Sequence, residues 1–149
     1  MAIAFDSNIL LYALLEPTTA KGETAVVLVE RAAMADAVIQ AQVLGELLAV
    51  VRRRRPELLD LAMATIGDFM VSFQISSTDG DVVARAGSLA ARHRLQVWDA
   101  VICAAAIKAG ATHLLTEDMQ DGAVLDGLRF IDPFMPRNEA ALDLLLPTL

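Results

Sequence analysis

Read for the spacing of its apolar positions, the chain alternates short apolar runs with longer stretches in which apolar residues recur every three or four places. The short runs predict strands at residues 2–5, 37–40, 72–75, 113–116 and 128–131. The longer stretches predict helices at about 7–15, 19–34, 43–54, 58–70, 81–92 and 99–109, with a last one within 138–145. Pro17, Pro56 and the ending Lys108-Ala109-Gly110 supply stops. Strands interleaved with helices imply parallel crossover units. The predicted fold is therefore α/β, a three-layer α/β/α sandwich around a central parallel sheet of about five short strands. Strand order does not follow from this pattern. No repeat, low-complexity tract or Gly/Ser linker interrupts it, and 149 residues fit a single domain spanning 1–149.

Composition narrows the class. Apolar residues make up 56% of the chain and aromatics only 5%, so the core is built from Ala, Val and Leu, as in a compact helix-rich fold. No apolar run approaches the roughly 18 residues of a membrane span. The N-terminus does not read as a signal peptide, because its first basic residue is Lys21 and Asp6 interrupts the early apolar run. A cytoplasmic location is expected. The single cysteine, Cys103, lies in the apolar stretch 101–106 and reads as a small buried hydrophobe. The formal net charge of -7 argues against a general nucleic-acid binder unless acids are gathered in a cation site and bases in a local patch. Arg52, Arg53, Arg54 and Arg55 form such a patch, or else a solvated helix C-terminus favoured by the helix dipole.

The parallel architecture gives the acids a geometry. In an open parallel sheet every strand ends, and every helix leading to the next strand begins, on one edge. Asp6 closes the first strand, and Asp118 follows the fourth by two residues. Glu46 sits about one turn into the helix after the second strand, flanking the apolar stripe of Val43, Leu47 and Val50, and so points inward. Asp99 opens the helix that feeds the fourth strand. Each acid has a structural role open to it: Asp6 as helix cap, Asp99 as complement to a helix dipole, Asp118 in a turn, Glu46 as a solvated flank. Those roles do not explain why all four fall on one rim. Gathered carboxylates repel, and a divalent cation relieves the repulsion; hard oxygen donors select Mg2+ or Mn2+ over zinc.

Such a cluster suits phosphoester chemistry. Competing machinery is missing. His93 and His113 are poorly placed for a metal-free acid/base pair, and no phosphate-binding Gly-rich loop or G-x-S-x-G elbow occurs. A phosphatase would need a D-x-D pair, but Asn8 stands where the second acid would be.

The stretches "AFDSNILLYAL", "QAQVLGELLAVV", "LQVWDAVICAAAIKAGATHLLTEDMQDG" and "LRFIDPF" resemble, in order and over almost the whole chain, the PIN-domain family and within it the VapC-type toxins of toxin–antitoxin pairs. The resemblance implies a magnesium- or manganese-dependent endoribonuclease acting on single-stranded RNA, with Asp6, Glu46, Asp99 and Asp118 holding the metal. Ser7, Asn8 and Thr116 are then supporting residues. Asp121 is either a further acid reaching the metal through water or the cap of a short helix beginning near Gly122. A homodimer and a cognate antitoxin protein are implied as partners. Under this reading hydrolysis leaves a 5′-phosphate and a 3′-hydroxyl. Arg52 to Arg55, Arg92 and Arg94 are candidates for contact with the RNA backbone or else solvated surface, and Trp98 either packs against the helix that Asp99 opens or stacks on a base. The alternatives are a catalytically silent PIN-like binding module and another magnesium-dependent phosphohydrolase.

Overall fold

The computed structural model describes residues 2–149. Six strands, β1 (Ala2–Phe5), β2 (Ala37–Gln40), β3 (Gln74–Ser76), β4 (Ala111–Leu115), β5 (Val124–Leu125) and β6 (Leu128–Ile131), form one sheet in the order β3-β2-β1-β4-β6-β5. β1 pairs in parallel with β2 and β4, β2 with β3, and β4 with β6, while β5 runs antiparallel on β6. The sheet is mostly parallel and flanked by helices, as the apolar pattern predicts, with six strands in place of about five. β5 has two residues, too few for any periodicity to register. β3 starts at Gln74 and not Ser72, because the preceding helix runs through Ser72 and the Phe73 N–H still bonds to the Phe69 carbonyl.

The helices are α1 (Ser7–Leu15), α2 (Ala20–Ala33), α3 (Ala41–Arg54), α4 (Leu59–Ser72), α5 (Gly80–His93), α6 (Val97–Lys108) and α7 (Glu139–Leu145). Two features explain the packing. β1 is buried along its whole length, consistent with a central parallel strand whose sequence, Ala-Ile-Ala-Phe, is apolar on both faces. α6 is buried at every residue from Ala100 to Ala106, and its small side chains let strands and helices approach on all sides. α1 and α2 meet tightly: Thr19 caps α2 by accepting from the Gly22 N–H at 3.1 Å, and a Cβ on Gly22 would lie 1.5 Å from the Glu16 carbonyl oxygen. Among the described residues no helix is long and apolar enough to cross a membrane.

The strand order positions the site. From β1 the chain winds one way to β2 and β3, and then the other way to β4 and β6. The direction reverses between β1 and β4, and crevices in open α/β sheets form at the carboxyl end of such a reversal.

Candidate active site

Asp6 stands at that reversal. It ends β1 and is the N-cap of α1, so its carboxylate accepts the Ser7 N–H at 2.7 Å, and its own N–H donates to the Leu115 carbonyl at 2.9 Å. Its second oxygen accepts the Thr116 hydroxyl at 2.8 Å; Thr116 is fully buried just past β4. The cap and the cluster, opposed explanations at the level of sequence, therefore coexist in one side chain. Asp6 is 5% exposed, and burial pushes its carboxyl from the ordinary 3.8 up to about 6. The Thr116 and Ser7 donors oppose that rise, while the charges of Asp99 and Glu46 add to it.

The other three acids come from separate elements. Glu46 is half-buried in the second turn of α3, with the Gln42 amide donating to it at 3.4 Å. Asp99 is half-buried and raised above the usual carboxylate range, first by burial and then by Glu46 and Asp118. It is the third residue of α6, which begins at Val97 after Gln96, and so follows the helix start and does not open it. Asp118 is exposed; its N–H donates to the Thr116 hydroxyl oxygen at 3.2 Å, and its carboxylate accepts the Asn8 amide at 3.0 Å. Asp6 thus lies within electrostatic reach of Asp99 and Glu46, and Asp99 within reach of Glu46 and Asp118, while Ser7 and Thr116 bond to Asp6 and Asn8 bonds to Asp118. None of the four acids has a Lys or Arg ion-pair partner among the described residues.

Among the described residues no group of three or more His, Cys, Asp or Glu side chains is drawn in closely enough to hold a metal ion as it stands. The donor chemistry nevertheless fits a hard divalent cation. It is all oxygen, its repulsion is unrelieved by any base, and the Asn8 Oδ1 is buried with no hydrogen-bond partner next to Asp118.

Other candidates lie elsewhere. Asp121 accepts from the Asp132 N–H at 2.8 Å, the Asn138 amide at 2.9 Å and both Nε and Nη2 of Arg137 at 3.1 and 2.7 Å. No helix starts at Gly122; the β5–β6 hairpin follows, and Asp121 ties the segment after β6 to the loop before β5. α3 runs back from the carboxyl edge, so Arg52 to Arg54, in its last turn, lie roughly 9–12 Å further along its axis than Glu46. Arg55 pairs with Glu57, and Arg92 with Asp126 at 3.2 Å. Arg94, left-handed at φ 55, closes α5 just before α6. Trp98 does not pack inward: it is 55% exposed beside Asp99. Cys103 is fully buried, and burial pushes its thiol up to about 12. His93 ends α5 and His113 lies within β4. Glu117 escapes sequence reasoning because its partners, Tyr12 and Lys21, stand 105 and 96 residues away in the chain.

Residues 3–120 match the PIN domain family. No curated protein sequence matches the chain. Among solved structures the chain is similar to a toxin–antitoxin complex from Klebsiella pneumoniae, at 20% identity and TM-score 0.67 over 89% of this chain and 98% of that one. It is also similar to Mycobacterium tuberculosis VapC20, described as a Sarcin-Ricin loop cleaving toxin, at 20% identity and TM-score 0.64 over 78% and 91%. A third is FitAcB from Neisseria gonorrhoeae, at 18% identity and TM-score 0.64 over 88% and 97%. At these identities the likeness is one of fold.

Proposed function

The chain belongs to the PIN-domain family, and from that membership we propose that it is a divalent-metal-dependent endoribonuclease, the toxin of a toxin–antitoxin pair. The observation that carries the reading is the pair Asp6 and Asp99, both raised by burial and by neighbouring carboxylates, Glu46 for both and Asp118 for Asp99, with no Lys or Arg ion-pair partner on any of the four among the described residues. Asp6, Glu46, Asp99 and Asp118 would hold Mg2+ or Mn2+; Ser7, Asn8 and Thr116 support them. Asp121 is already engaged by Arg137 and Asn138 and acts on the site only through the loop it ties down. When bound, the cation would supply positive charge that offsets the carboxylates and would polarise phosphate and water.

The chain's own residues do the rest. Thr116 and the Ser7 N–H hold the Asp6 carboxylate in one orientation, and Asn8 holds that of Asp118. The exposed indole of Trp98 offers a face on which a splayed base can stack, which favours single-stranded RNA as substrate. Arg94, four residues before Trp98 at the end of α5, is the basic candidate proposed for the RNA backbone. The similar structures include toxin–antitoxin complexes, which supports a cognate antitoxin as partner; a homodimer is proposed with it.

The test is an RNA-degradation assay with Mg2+ or Mn2+, with EDTA, and with Asp6→Asn and Asp99→Asn. Cleavage that requires the metal, falls at least a hundredfold in either variant and leaves 5′-phosphate and 3′-hydroxyl ends is expected. Unchanged cleavage in either variant, or 2′,3′-cyclic phosphate ends, overturns the reading. The splay of the acids favours a second reading, a silent binding module. Metal binding without cleavage of any RNA, including total cellular RNA, would select it.

A further inference from the structure

One residue before Asp118 a second carboxylate is gripped from two helices. Glu117 accepts the Tyr12 hydroxyl on one oxygen and the Lys21 ammonium on the other, the latter at 2.7 Å. Lys21 Nζ also lies 5.3 Å from the ring centroids of both Tyr12 and Phe134, and those rings pack edge-on at 5.3 Å. α1 and α2 thus both hold one side chain that is only 19% exposed, and Phe134, after β6, packs against the two residues that hold it. Asp118 itself is exposed and, among the described residues, its carboxylate has a single side-chain partner, Asn8.

The spacing on α1 joins the two contacts. Asn8 and Tyr12 are four residues apart, on one face of the helix. Asn8 holds Asp118, and Tyr12 holds Glu117, so one helix face grips two consecutive residues of the β4–β5 loop. A half-exposed lysine pair adds little to stability by itself. The significance of the pair is positional, because it removes the freedom of the one rim acid that has no buried surroundings to fix it.

We propose that Glu117 is a positioning residue: the Tyr12–Glu117–Lys21 clamp fixes the β4–β5 loop so that Asp118 faces the acidic rim, and thereby sets how tightly the rim holds a divalent cation. The second half rests on the metal reading above; the first half does not.

Two measurements separate them. In metal-free protein, hydrogen–deuterium exchange reads the Asp118 amide, which donates to Thr116. Isothermal titration with Mn2+ reads the rim. Glu117→Ala speeds Asp118 exchange and weakens Mn2+ binding about tenfold, the scale typical of residues that orient metal ligands. Glu117→Gln, which keeps an acceptor for Tyr12, restores affinity to within about threefold of wild type. Tyr12→Phe removes one oxygen only and speeds Asp118 exchange, so it carries the test if Glu117→Ala folds poorly. Unchanged Asp118 exchange in both Glu117→Ala and Tyr12→Phe overturns the clamp. Faster exchange with unchanged Mn2+ affinity overturns its control of the rim. If wild type binds no Mn2+, or Asp118→Asn binds it as wild type does, the metal reading falls and the second half falls with it; the exchange data still decide the first.

Discussion

At the end of β1 a single carboxylate, that of Asp6, caps α1 through the Ser7 N–H, takes the Thr116 hydroxyl and faces the charges of Asp99 and Glu46. Burial raises it from 3.8 to about 6. Between those values the folded chain binds the proton more readily than the unfolded chain. The stability owed to this group is therefore present at acid pH and lost as pH rises through about 6. For metal-free protein, Asp6→Asn should melt higher than wild type at pH 8, by up to about 3 kcal/mol at roughly 1.4 kcal/mol per unit. The gap should narrow towards pH 4. Urea melts of both proteins at the two pH values check this; a variant less stable than wild type at pH 8 would contradict the buried-charge account.

At the scale of elements, the α1–α2 turn depends on one missing side chain. Gly22 lies in α2, where glycine is ordinarily a defect, yet a Cβ there would sit 1.5 Å from the Glu16 carbonyl oxygen. The contact is with backbone, so relief requires one helix to shift. Gly22→Ala should destabilise by about 1–3 kcal/mol, the range for overpacking, despite the better helix propensity of alanine. Gly45, also helical, has open space around its Cβ position and serves as the control, with Gly45→Ala neutral or mildly stabilising. Paired thermal melts decide it; equal responses at the two sites would remove the close approach as the cause. Because α1 carries Asn8 and Tyr12, a shift of this turn also reaches the acidic rim.

For the molecule as a whole, with a net charge of -7, the proposed site at Asp6, Glu46, Asp99 and Asp118 predicts that a divalent cation should stabilise the fold itself. At a concentration about a hundred times its Kd, a ligand that binds only the folded state adds about 2.7 kcal/mol. For a chain of this size that is a rise in Tm of roughly 5–10 °C. NaCl at equal ionic strength should give far less, and Asp99→Asn should abolish the difference. Differential scanning fluorimetry across Mn2+ and NaCl series is sufficient; identical responses to both salts would point to general screening and not to a site.

Much of this was legible in the one-dimensional pattern, since apolar runs of four and apolar periods of three to four follow from which faces are buried. β1, β2, β6 and α1 fall at their predicted limits, and the alternation of strands and helices implied the parallel sheet. The rule that parallel strands end on one edge pointed to Asp6, Glu46, Asp99 and Asp118; of these the structure sets Asp6 beside the charges of Glu46 and Asp99, and Asp99 beside those of Glu46 and Asp118. Periodicity carries no information about which strands are neighbours, so the reversal between β1 and β4 appears only in three dimensions. Short and polar features were equally hidden: β5 is too brief to show a period, Trp98 is exposed although apolar, and Asp121 finds its partners at Arg137 and Asn138. The grip of Tyr12 and Lys21 on Glu117 is the fullest case, because a long-range polar contact leaves no spacing in the chain and exists only once the sheet has brought its ends together.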